Sequence, residues 1–237
     1  MRYLLFLALL GFLPSCSSVR SSGGLDYWGN RAGPQGFRTV IIDAGHGGKD
    51  SGAVSRHTRQ REKDANLDFA KRLRSELRGS FRTVMVRSDD RFIDLDDRVA
   101  FANRYPDAIL VSLHFNSGSS SRRGPETYWW RVDSHGLAVR CQRAMKSVAP
   151  YSSNAGLSRR RLRLTRNPSI PCVLLEGGYM SHSQESRQIN SANHRQRLAE
   201  AIAKAIRDQS EKGDAGTGMR PPFIKAPPSR PTDPPGS

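Results

Sequence analysis

The chain has 237 residues, of which 36% are hydrophobic and 25% charged, a balance that suits one globular domain with tails and excludes a protein built mainly of membrane spans. Lys and Arg number 38 against 22 Asp and Glu, for a net charge of +16. That charge attracts polyanions, but it is spread along the chain and accompanies no nucleic-acid motif, so no specific nucleic-acid partner is expected.

In chain order, Arg2 precedes an apolar run over residues 3–13, too short to span a bilayer as a mature helix and suited to a signal peptide over residues 1–15. The ending Leu13-Pro14-Ser15-Cys16 resembles the lipobox of bacterial lipoproteins, with Pro14 in place of the usual small residue. The resemblance implies a lipid on Cys16 that attaches the chain to a membrane; an ordinary cleaved signal is the alternative. Either way the chain is exported, to the cell envelope or periplasm. Residues 16–36, rich in Ser, Gly and Arg, read as a lipid-anchored flexible tether. With Cys16 set aside, Cys141 and Cys172 remain, to be paired or buried separately.

Residues 37–210 carry the domain. Residues 39–44 form a short apolar run ended by Gly45, as in a buried strand. Residues 62–78 predict a helix, with Phe69, Ala70, Leu73 and Leu77 on one face. Residues 83–87, 108–113, 127–132 and 172–175 read as strands, and so do residues 162–165. A last helix over residues 193–209 places Leu198, Ala201, Ile202, Ala205 and Ile206 on one face. Beyond it, residues 211–237 are rich in Pro and Gly without periodicity and read as a disordered tail. This alternation predicts a single α/β domain, a mostly parallel or mixed twisted sheet flanked by helices on both faces.

Three of the strands end in polar residues. They lead into Asp43-Ala44-Gly45-His46-Gly47-Gly48, into Ser112-Leu113-His114-Phe115-Asn116, and into Leu174-Leu175-Glu176-Gly177-Gly178. Ligands bind where loops leave the carboxyl ends of strands, so His46, His114 and Glu176 would converge there as a metal site does. Glu62 joins them, because it lies on the same helix face as Phe69 and Leu73, and a carboxylate there needs a partner such as a cation. Taken singly, each residue also reads as a hydrogen-bonding or capping group. Glu126 is a competing site carboxylate, read as lining a strand edge or the substrate. His57, His135 and His194 read as surface residues.

Four ordered blocks carry a resemblance to a known family. They are residues 41–53 (IIDAGHGGKDSGA), 61–67 (REKDANL), 112–117 (SLHFNS) and 171–181 (PCVLLEGGYMS). Arg87-Ser88-Asp89-Asp90, Leu95, Arg98 and Ala102-Asn103 follow the same pattern. The chain resembles the zinc-dependent N-acetylmuramoyl-L-alanine amidases of the cell-division and spore-cortex type, the amidase 3 family. Ser51 stands where that family commonly has Pro, and His182 where it usually has Asn. The resemblance implies a Zn2+ ion held by His46, Glu62 and His114, with Glu176 as the catalytic residue. It further implies peptidoglycan as the substrate and the bond between N-acetylmuramic acid and L-alanine as the one cut, in wall remodelling or daughter-cell separation. A zinc peptidase acting within the stem peptide and an inactive peptidoglycan-binding module are the alternatives. An activating protein is left open, although the segment between His114 and Glu176 is too short for the regulatory helix that some division amidases insert there.

Overall fold

The structure, a computed structural model, describes residues 29–230. The expected signal peptide, Cys16 and the first part of the tether lie outside the described residues. Six strands make one sheet: β1 (Thr39–Ala44), β2 (Arg82–Met85), β3 (Ala108–Asn116), β4 (Glu126–Trp129), β5 (Gly156–Arg159) and β6 (Cys172–Tyr179), in the order β2-β1-β3-β6-β4-β5. β1 pairs in parallel with β2 and β3, and β3 with β6, while β4 runs antiparallel to β6 and parallel to β5. The sheet is therefore mixed, and its central strands are apolar on both faces, as parallel strands covered on both sides require.

Successive side chains point to opposite faces, and this divides the core in two. Val40, Ile42, Val111, Leu113, Val173 and Leu175 meet the helices α1 (Glu62–Leu77), α3 (His135–Val148) and α6 (Ala192–Lys212). Ile41, Leu110 and Cys172 meet Ala102 of α2 (Leu95–Ala102) and Leu164 of α4 (Arg163–Arg166). One more helix, α5 (Ser183–Asn190), follows β6. Each fully buried Val, Leu or Ile contributes about 1.5–3 kcal/mol, so the larger cluster dominates stability. Cys141 and Cys172 are both buried and free, which answers the pairing question.

Three elements differ from the sequence expectation. Residues 162–165 form the start of α4, not a strand, because Thr165 Oγ1 accepts from Leu162 N at 3.0 Å and closes a helical turn there. The edge strand is instead β5, whose Gly, Leu, Ser and Arg carry little apolar pattern. The last helix runs to Lys212, and residues 213–230 beyond it form neither helix nor strand but lie along the domain. Arg140 donates to the carbonyls of Gly213 and Ala215, Arg159 to that of Pro222, and Arg166 to that of Ala226, while Asn167 and Ser229 exchange two hydrogen bonds. A proline-rich segment has few N–H groups to offer, so its carbonyls are its means of attachment, and the domain's arginines supply the donors. On the amino-terminal side, Gly33 N donates to Asp214 Oδ2 and Gly36 N to the Ser210 carbonyl.

His194 also differs: it is 4% exposed, with Nδ1 lacking a hydrogen-bond partner among the described residues. Burial, and then the nearby Arg197 and Arg195, lower its pKa to about 4. The unfolded chain takes up this proton near pH 6.5 and the folded chain only near 4, so the contribution to stability is full above 6.5 and is lost as pH falls through that window. The loss should approach about 3 kcal/mol at the acid end. Urea unfolding followed from neutral pH down to about pH 4.5 should show a shallower decline for His194→Leu than for the parent. Parallel declines would contradict this account.

Candidate metal centre

β1, β3 and β6 end at one edge of the sheet, and the amino terminus of α1 faces that edge. Glu62 is the first residue of α1, buried, where the helix dipole favours its charge. His114 lies near the end of β3, and His46 in the loop after β1. His46 holds φ of 60°, a conformation that non-glycine residues seldom adopt. Glu62 Oε1 lies 3.1 Å from His46 Nε2 and 3.0 Å from His114 Nδ1. The three side chains offer ligand atoms all within 4.8 Å of one another. Two imidazoles and one carboxylate in that space are a donor set for zinc, and they leave room for a fourth ligand.

The surroundings fix each group. Glu62 also accepts hydrogen bonds from the Ala53 amide, the Phe115 amide and Asn66 Nδ2. His46 Nδ1 sits 2.7 Å from Asp50 Oδ2, which orients the ring with Nε2 turned to the cluster. Burial works against charge on Glu62, but hydrogen bonds from His114 and His46 bring its pKa far below the ordinary carboxylate range. Burial likewise opposes charge on His46, yet the bond and charge of Glu62, with Asp50 behind, raise its pKa above 6.5.

Two arginines hold the backbone that carries His46. Arg87, fully buried, donates to the carbonyls of Ala44, Gly45 and Lys63. Arg98 donates to the carbonyls of Ala44 and His46 and pairs with buried Asp43 at 2.5 Å. Glycine is required where the backbone passes closest to the ligand side chains. A Cβ at Gly45 would stand 2.1 Å from the His114 ring, and one at Gly52 would stand 2.6 Å from Glu62 Oε2. Gly45→Ala should therefore displace His114 and weaken zinc affinity about 10–100-fold, the range found when a ligand's support is removed. A competitive zinc titration checks this, and an affinity equal to the parent's would refute the cradle.

Glu176 lies on β6 in register with His114 of β3 and Glu126 of β4. Its Oε2 is buried without a hydrogen-bond partner among the described residues. Burial, then the charges of Glu62 and Glu126, raise its pKa well above the ordinary value. Glu126 is not part of the cluster. Its carboxylate accepts from Asn116 Nδ2, the hydroxyls of Tyr128 and Tyr179, and Ser158 Oγ. His57 is exposed, and His135 packs its ring against Trp129. A cleft of about 310 Å³ opens on the cluster, lined by His46, His114, Phe92, Leu95, Arg98 and Leu164.

An α/β sheet with a His/Glu/His cluster and an unpartnered carboxylate at its carboxyl edge defines a candidate metal-dependent hydrolase. Comparison with known proteins narrows the class. The profile of the N-acetylmuramoyl-L-alanine amidase family matches residues 40–208, and the chain belongs to that family. The catalytic domain of CwlV, an N-acetylmuramoyl-L-alanine amidase from Bacillus (Paenibacillus) polymyxa var. colistinus, is 35% identical with a TM-score of 0.69, covering 72% of this chain and 97% of that one. An N-acetylmuramoyl-L-alanine amidase from Clostridium difficile 630 is 30% identical with a TM-score of 0.70, covering 74% of this chain and 97% of that one. Among curated relatives, "Probable cell wall amidase LytH" of Staphylococcus saprophyticus is 32% identical over 179 residues, 74% of this chain and 60% of the relative. The chain thus spans less than two thirds of that relative's length.

Proposed function

We propose that this protein hydrolyses the amide bond between N-acetylmuramic acid and L-alanine in peptidoglycan, with Zn2+ held by His46 Nε2, Glu62 and His114 Nδ1. The observation that carries this reading is the meeting of those three ligand atoms within 4.8 Å in a chain of the amidase family. When bound, the ion would supply Lewis acidity, which favours ionisation of the attacking water and polarises the amide carbonyl. Asp50 keeps the His46 ring turned to the centre. Glu176 accepts the proton of the attacking water and returns it to the L-alanine nitrogen as the C–N bond breaks. Its raised pKa suits both halves of that transfer. No Ser or Cys nucleophile takes part; Cys141 and Cys172 are buried, and burial pushes both thiols up to about 12.

The same reading assigns residues 1–15 to a signal peptide and a lipid to Cys16, placing the domain in the cell envelope or periplasm. Among the described residues no helix is long and apolar enough to cross a membrane, so attachment would fall to that lipid. Digestion of purified sacculi with and without a zinc chelator, followed by mass spectrometry, tests the activity. Stem peptides released with a free L-alanine amine, and none in the chelated sample, are expected. Cleavage within the stem would make it a peptidase, and no release at all would make it a binding module.

A further inference from the structure

The edge of the sheet opposite the metal centre carries a second organised feature. Arg38 immediately precedes β1, Arg82 opens β2, Arg78 follows the carboxyl end of α1, and Arg104 lies in the turn before β3. Arg38 and Arg82 are joined through the backbone, Arg82 packs on the residue after Arg104, and Arg78 stands four residues before Arg82. Arg82 N donates to the Arg38 carbonyl, the Arg82 guanidinium lies over the Tyr105 ring, and Ala108 N donates to the Tyr105 carbonyl. All four side chains are exposed, and none has an ion-pair partner among the described residues. Within residues 37–39, 78–82, 103–108 and 168–171, the segments around these arginines, Asp107 is the one acid, while Asp133 and Asp214 hold the entering residues 29–33 beside them. Several buried arginines elsewhere are occupied: Arg131 is tied to Asp133, Arg195 to Asp68, and Arg166 to the carboxyl-terminal segment.

The chain enters the domain at this same edge, through residues 29–38, and the sequence before it holds the apolar run of residues 3–13 and Cys16. We infer that this arginine edge docks on an anionic phospholipid surface and turns the metal centre away from it. Guanidinium groups held near an anionic bilayer gain from its negative surface potential, and adjacent phosphates accept their hydrogen bonds in pairs. From Ala108 to His114 is six residue steps along β3, on the order of 20 Å at about 3.3 Å per step. Docking therefore presents the catalytic edge at a set height above the lipid, facing outward toward material that lies beyond the membrane. This inference does not depend on the amidase assignment.

The test compares the full-length chain with Arg38→Gln/Arg78→Gln/Arg82→Gln/Arg104→Gln in sedimentation with vesicles. One set of vesicles is pure phosphatidylcholine, and the other contains about one third phosphatidylglycerol. The residues before 29 are common to both proteins, so the readout is the preference for anionic over neutral vesicles. The parent should prefer anionic vesicles at least about tenfold, less at high salt, and the variant should lose most of that preference. A control, Arg122→Gln/Arg123→Gln/Arg187→Gln/Arg197→Gln, makes the same change in net charge with exposed arginines elsewhere and should keep it. Equal loss in variant and control would reduce the effect to net charge and overturn the docking surface, as would no loss in the variant. Circular dichroism of all three proteins verifies the fold. Hydrolysis of a soluble muropeptide, measured alongside, reports failure of the amidase reading separately.

Discussion

Glu176→Gln should leave zinc binding intact and lower turnover of muramoyl-peptide about 10²–10⁴-fold, the range that a positioned acid–base group supplies. Glutamine keeps the shape of the side chain but can neither accept the water proton nor return it. The neighbouring strands should be undisturbed, because Glu176 Oε2 has no hydrogen bond to lose among the described residues. His46→Ala should behave differently and lose metal and turnover together, since it removes one of the three ligand atoms grouped within 4.8 Å. Zinc content by elemental analysis, set beside activity on the same preparations, separates the two outcomes. A Glu176→Gln protein that retains turnover would remove the proposed base, and a His46→Ala protein that retains full zinc would remove the proposed centre.

Much of this arrangement was legible in the sequence, for identifiable reasons. β1, β3 and β6 are near-continuous apolar runs, and each run leads into a polar residue that a buried strand has no packing reason to carry. Glu62 stood out because it shares a helix face with Phe69 and Leu73, and the structure buries all three. Helix α3 was equally readable but overlooked: Leu137, Ala138, Cys141 and Met145 sit at i, i+1, i+4 and i+8 and are all buried. Short β5 was not readable, since an edge strand of four residues has one neighbour and little apolar pattern. Composition records the prolines after the last helix and not the distant Arg140, Arg159 and Arg166, which donate to the carbonyls of Gly213, Pro222 and Ala226. His194 was misplaced for a similar reason, as its burial depends on packing that its own neighbours in sequence do not reveal. The supports of His46 lay outside the reading as well. Arg87 and Arg98 follow the family pattern, but only the fold brings their guanidinium groups to the carbonyls of residues 44–46.

Those supports carry the largest expected effect on stability. Arg98→Ala should destabilise the domain by about 3–5 kcal/mol, the cost of breaking a buried ion pair by removing one partner. Asp43 is 0% exposed and among the described residues would keep only the Ser112 hydroxyl, 2.7 Å away, as a side-chain partner. The same change releases the carbonyls of Ile93, Ala44 and His46 from their donor. Because His46 holds a left-handed backbone conformation, losing the bond to its carbonyl should also let the ring drift and weaken zinc binding in protein that remains folded. Arg98→Lys keeps a positive charge near Asp43 but has one nitrogen in place of the three that reach Ile93, Asp43 with Ala44, and His46 separately, so it should fall between parent and Ala. Combining Arg98→Ala with Asp43→Asn should cost less than the sum of the single changes, since no uncompensated charge is left inside. Urea unfolding of the four variants and the parent, with zinc titration of each under native conditions, gives both quantities. An Arg98→Ala protein within about 1 kcal/mol of the parent would show that Asp43 is neutral or solvated and that the His46 loop holds its shape without this pair.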